Sequence, residues 1–189
     1  AGGPKTFAIV SVQRIVATLC DGNDFLSITP SLAIPAVLDG GNGNDQLKGG
    51  GASVILIGGS GNDSLTGSKQ RDVIVGGLGS DQLNGLAEDD LLIAGSTAFD
   101  ANQAALDSIL AEWSSVRSYG ARIANLRGTG AGSSFISRLN GNSFLRLLAP
   151  NATPPCRSTS ASARASTRSA MSLGVIRMTF PNTSKESIT

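Results

Sequence analysis

Histidine is absent from the chain. With it go HExxH zinc chemistry, a Ser-His-Asp triad and a Cys-His nucleophile pair. No GxSxG elbow takes their place, so no catalytic residue is expected among these 189 residues and the chain reads as non-enzymatic. Aromatic residues make up only 4% of the chain, and none falls between Leu26 and Ala98. A core built in that stretch must therefore be aliphatic and too narrow for a ring. No apolar run approaches the roughly 18 residues of a transmembrane helix, so no membrane span is expected. The two cysteines, Cys20 and Cys156, have no spacing that argues for a disulfide.

Charge is nearly balanced but unevenly spread. Residues 1–112 carry 13 acidic and 5 basic groups, whereas residues 113–189 carry 1 acidic and 10 basic. The acidic part suits cation binding. The basic part lacks interleaved aromatics and any nucleic-acid motif, so no nucleic acid is expected as a partner.

What the chain does have is a period of nine. Residues 40–93 divide into GGNGNDQLK, GGGASVILI, GGSGNDSLT, GSKQRDVIV, GGLGSDQLN and GLAEDDLLI. The first place is always Gly and the eighth always Leu or Ile, a regularity that marks a solenoid. Glycine-rich first halves turn the chain, and the last three residues of each unit form a short strand. Side chains alternate across a strand, so the eighth residue faces inward. Two units make one coil of eighteen residues, units of the same parity lie on the same side, and coils pair as parallel strands about 4.8 Å apart.

Odd and even units differ in what they present. Outward positions of the odd units are polar: Gln46, Lys48, Ser64, Thr66, Gln82 and Asn84. Those of the even units are Ile55, Ile57, Val73, Val75, Leu91 and Ile93. Six such side chains are worth on the order of 10 kcal/mol of burial, so this face must be covered, either by the helical segment that follows or by a protein partner.

The sixth place is Asp in five units. Asp45, Asp63 and Asp81 of the odd units should form one ladder, while Asp72 and Asp90 remain on the even edge. Calcium takes oxygen ligands at about 2.3–2.6 Å, so carboxylates stacked roughly 4.8 Å apart can both reach one ion. Carbonyls of the turn glycines Gly41, Gly43, Gly59, Gly61, Gly77 and Gly79 can complete the coordination. Without a cation, two such charges about 5 Å apart repel by roughly 0.8 kcal/mol in water and about 3 kcal/mol at an effective dielectric of 20. Up to two ions are expected on the odd edge. The even edge, where Ala52, Gln70 and Glu88 replace the fourth-place glycine, should hold one weak site or none.

GGNGNDQLK, GGSGNDSLT and GGLGSDQLN each match GGxGxDxUx, and in this the chain resembles the RTX, or haemolysin-type, calcium-binding repeat proteins. It also resembles, less closely, the C-terminal regions of bacterial surface proteins. The resemblance implies a mainly β chain built on a parallel β-roll, calcium (Ca2+) as the bound ion, and an extracellular or cell-surface setting. Two other functions fit the same repeats: the non-catalytic C-terminal part of an RTX protease or lipase, and an adhesin element docking through its apolar sheet.

The flanks complete the expected layout. Residues 1–39 should be strand-rich, and within them DGNDFL repeats the second half of a unit, with Asp24 in the sixth place 21 residues before Asp45. The three extra residues should bulge or form a longer strand, which Pro30 and Pro35 keep from pairing fully as a central strand, and Asp24 is a possible further ligand. Residues 94–127 show helical spacing at Ala101, Ala104, Ala105, Ile109 and Trp113, and then at Val116, Tyr119, Ile123 and Leu126. They should form a short helical cap over the open end of the roll, started by Ser96, Thr97 or Asp100. Residues 128–189, a loop and a Ser/Arg/Ala/Thr-rich segment, are expected to be a disordered tail.

Overall fold

The computed structural model describes residues 12–127 and two later strands, at 175–179 and 185–188. The chain winds as a parallel β-solenoid with one sheet on each side. The first sheet contains β1 (Arg14–Thr18), β3 (Ala36–Asn42), β5 (Val54–Ser60), β7 (Val73–Leu78) and β9 (Leu91–Ile93). The second contains β2 (Phe25–Ile28), β4 (Gln46–Lys48), β6 (Ser64–Thr66) and β8 (Gln82–Asn84). β10 (Val175–Thr179) and β11 (Lys185–Ile188) add one strand to each sheet, next to β1 and β2 respectively. Most of the tail expected to be disordered lies outside the described residues. These two strands are an order that its composition does not suggest.

Register follows the repeat. Leu47 pairs with Leu65 and then Leu83, and Leu56 with Ile74 and then Leu92, eighteen residues apart at each step. The first coil is 21 residues, with Phe25 opposite Gln46 and Val37 opposite Val16. Its surplus bulges between β2 and β3, where Leu32 and Ile34 turn into the interior and Gly51 donates to the Leu32 carbonyl at 3.0 Å. Inside, Leu26, Leu47, Leu65, Leu38, Leu56 and Ile74 form an aliphatic column. The last coil ends it: no further coil lies over Leu83 and Leu92 among the described residues, and Leu83 is only partly buried while Leu92 is 47% exposed.

The outer face of the first sheet is covered by the chain itself. Two helices, α1 (Gln103–Trp113) and α2 (Tyr119–Leu126), follow the last repeat. Ile55, Ile57, Val73, Val75, Leu91 and Ile93 are buried in one cluster with Phe99, Leu106, Ile109, Trp113 and Leu126. Of the two covers expected, the helical segment is therefore the one that forms, and a protein partner on this face is not supported. The helices lie along the side of the stack and not over its end, because the side is where the continuous apolar stripe runs.

Three details of the helical segment differ from expectation. Asn102 caps α1, its side chain accepting from the Ala105 amide, whereas Thr97 and Asp100 bond to each other in the preceding turn. Val116 precedes α2 and is fully exposed. The buried side of α2 is Arg122, Asn125 and Leu126. Arg122 lies 4.8 Å over the Trp113 ring and donates to the Trp113 carbonyl and to Asp89. The Trp113 indole donates to the Asp89 carbonyl at 2.7 Å, so both helices are fastened to the turn of the sixth unit.

Candidate metal centre

Each odd unit turns through two glycines held in the left-handed region, for example Gly59 (φ +105°) and Gly61 (φ +135°). A side chain there would be strained, and it would also have nowhere to go. A Cβ on either residue would stand 2.0 Å from the carbonyl oxygen of Gly41 or Gly43 one coil back. The same contacts recur from Gly77 and Gly79 to the Gly59 and Gly61 carbonyls. Turns therefore stack backbone on backbone, with a row of carbonyl oxygens between them.

Two side-chain ladders run through these turns in opposite directions. Fifth-place asparagines point forward: Asn44 Oδ1 accepts from the Asn62 amide at 2.7 Å, and Asn62 Oδ1 from the Ser80 amide at 2.8 Å. Sixth-place aspartates point back: Asp63 Oδ1 accepts from the Asp45 amide at 2.7 Å, and Asp81 Oδ1 from the Asp63 amide at 3.0 Å. The three aspartates expected to align do so along one edge. The asparagine ladder goes beyond the ligands that the repeat pattern suggests, and its only sign in the sequence is Asn in the fifth place of two consensus units.

The other carboxylate oxygen of each is the unusual one. Oδ2 of Asp45, Asp63 and Asp81 is buried and accepts no hydrogen bond. A Cβ on Gly40 would lie 2.3 Å from Asp45 Oδ2 and 2.6 Å from the Gly58 carbonyl oxygen. On Gly58 it would lie 2.3 Å from Asp63 Oδ2 and 2.4 Å from the Gly76 carbonyl oxygen. A carboxylate oxygen and a carbonyl of the next coil thus border the small space that each first-place glycine leaves. Burying an acceptor with no donor is costly unless a cation or proton meets it. Burial accordingly pushes the Asp45 carboxyl up to about 7 and that of Asp63 up to about 6, with neighbouring aspartates adding to the rise in both.

The donor set fits a hard cation held by few carboxylates and several carbonyls. Among the described residues no three His, Cys, Asp or Glu side chains converge, so a cation on this edge would take most of its ligands from backbone carbonyls.

The even edge is built differently. Asp72 accepts from the Val54 amide and, through both oxygens, from Ser68: the amide at 2.5 Å and the hydroxyl at 2.9 Å. Its carboxylate is satisfied by protein donors. Asp90 accepts from the Asp72 amide and is half-buried, its carboxyl raised by burial. Arg71 lies 3.8 Å from Glu88 and donates to the Ser115 carbonyl, placing a fixed positive charge on this edge. In the sixth unit Leu86 and Glu88 adopt the left-handed geometry that glycines take on the other side. Asp72 and Asp90 are brought into line, as expected, but without an orphaned oxygen shared between them.

The RTX calcium-binding nonapeptide repeat family, in its four-copy form, matches residues 39–74 and, overlapping them, 57–92. Residues 39–92 are RTX repeats, and calcium is the ion that such repeats bind. No curated protein and no solved structure matches the chain significantly. No helix among the described residues is long and apolar enough to cross a membrane.

Proposed function

We propose that the chain is a calcium-folded, non-enzymatic module of a secreted or surface-attached bacterial protein, with its ions on the odd-unit edge. One observation carries this reading: the buried Oδ2 atoms of Asp45, Asp63 and Asp81, one coil apart and without donors. Asp45, Asp63 and Asp81 would hold the ions together with carbonyls of Gly41, Gly43, Gly59 and Gly61, while Gly77 and Gly79 form the facing wall of the last space. Bound calcium supplies the positive charge that offsets both the desolvation of these carboxylates and their mutual repulsion. The chain's own part is to bring the carboxylates into register and to exclude water from between the turns.

No ion is assigned to Asp72, whose oxygens Ser68 already occupies, and Asp90 is left without a second available carboxylate. The RTX resemblance supports the secreted setting. Extracellular calcium modules bind at about 0.1–1 mM, an affinity that leaves the fold unformed where calcium is scarce. Far-UV circular dichroism in chelator and in millimolar calcium tests the proposal. Strand signal should rise on adding calcium and fall again on chelation; a spectrum unmoved by either rejects it.

A further inference from the structure

The turn that precedes the matched repeats is built like the consensus turns. It comprises residues 20–24, Cys-Asp-Gly-Asn-Asp, and departs from the consensus units in three ways: Leu19 and Cys20 stand where the others have their first two glycines, and it is 21 residues rather than 18 from its successor. The backbone nevertheless keeps the form of the consensus turns. Gly22 has φ +133°, beside +131°, +135° and +132° at Gly43, Gly61 and Gly79, and Cys20 takes the left-handed φ of +73° although it is not glycine. Gly22 donates to the Asn42 carbonyl at 2.8 Å, as Gly43 does to that of Ser60 and Gly61 to that of Leu78, both at 2.7 Å. Asn23 Oδ1 accepts from the Asn44 amide at 2.7 Å, extending the asparagine ladder by one rung.

The space between this turn and the next has the lining of the two below it. The carbonyl oxygens of Cys20 and Gly22 face the second coil, 2.0 Å and 1.6 Å from where a Cβ on Gly41 and Gly43 would stand. Asp45, 2% exposed, reaches toward this turn: its Oδ1 accepts from the Asp24 amide at 2.8 Å and its Oδ2 accepts nothing. Asp24, 3% exposed, occupies the place that Asp45 holds relative to Asp63.

We infer that the odd edge has a third calcium site, between the turn of residues 20–24 and that of residues 41–45, held by Asp24 and Asp45 with the carbonyls of Cys20 and Gly22. The inference rests on the calcium reading of the odd edge and extends it beyond residues 39–92. The twenty-first residue of the first coil does not disturb the site, because the three extra residues bulge on the far side of β2.

Native mass spectrometry of the whole chain in increasing calcium, with parallel circular dichroism, decides the matter. The wild type should retain three ions. Asp24→Asn should retain two, with the strand signal in saturating calcium unchanged, and Cys20→Gly should retain three. A wild type with two ions, unaltered in Asp24→Asn, overturns this site while leaving the other two. A third ion lost in Asp90→Asn and kept in Asp24→Asn overturns it as well, since it then belongs to the even edge. If Asp24→Asn fails to fold, the wild-type count read with Asp90→Asn still decides: three ions in both supports the site. No ion bound to any of these proteins removes the calcium reading itself.

Discussion

Replacing Asp63 by Asn should act with opposite sign in the presence and absence of calcium. Asp63 is the middle rung, one coil from Asp45 and one from Asp81, and its Oδ2 has no donor. In chelator the substitution removes a buried charge and its repulsion from two neighbours, up to about 3 kcal/mol each at an effective dielectric of 20. The raised carboxyls of Asp45 and Asp63 mean that part of this cost is already relieved by protonation at neutral pH. A net gain of about 1–2 kcal/mol is expected. In about 10 mM calcium the same change damages both flanking sites. At dissociation constants of about 0.1–1 mM each site contributes roughly 1.4–2.7 kcal/mol, so losing two outweighs the calcium-free gain and leaves a net loss of about 1–4 kcal/mol. Urea unfolding followed by circular dichroism, in chelator and in calcium, reads both numbers. Equal destabilisation in the two conditions would show that Asp63 is a structural acceptor for the Asp45 amide and nothing more.

Two further outcomes separate the edges and the ionisation states. Asp45, Asp63 and Asp39 have folded-state carboxyls at about 7, 6 and 6, all raised chiefly by burial from 3.8. The folded state therefore holds more protons between about pH 4 and 7, and calcium-free stability should fall as pH rises through that window, whereas calcium affinity should rise. Thermal midpoints at several pH values in chelator check this, and a calcium-free midpoint that climbs with pH would contradict it. Ser68→Ala removes the hydroxyl that donates to Asp72 and accepts from the Gln70 amide. It should cost about 1–2 kcal/mol in urea, equally with and without calcium; a calcium-dependent cost would place an ion at Asp72.

Much of this architecture can be read from a nine-residue period. Columns of like residues, Leu47 over Leu65 or Ile55 over Val73, need only strand alternation and an eighteen-residue coil, and the apolar even face announces that it must be covered. Polar detail is less legible because it depends on which of several short-range partners a side chain takes. Ser68 satisfies Asp72 from four residues away, and Asn102 rather than Asp100 caps α1, although each alternative is chemically equivalent in sequence. Arg122 was hidden for a different reason. A charge at that spacing reads as a solvated face, yet the Trp113 ring, its carbonyl and Asp89 give the guanidinium a buried place. The return of β10 and β11 to the first coil joins residues more than 150 apart in sequence, where no periodic signal reaches.

The most direct test of the central claim is an anomalous difference map from crystals of the chain grown in calcium. Peaks are expected between the turns bearing Asp45 and Asp63 and between those bearing Asp63 and Asp81, beside the Oδ2 atoms that have no donor. Peaks confined to the Asp72 and Asp90 edge, or a solenoid folded in calcium with no peak between the odd turns, would contradict it.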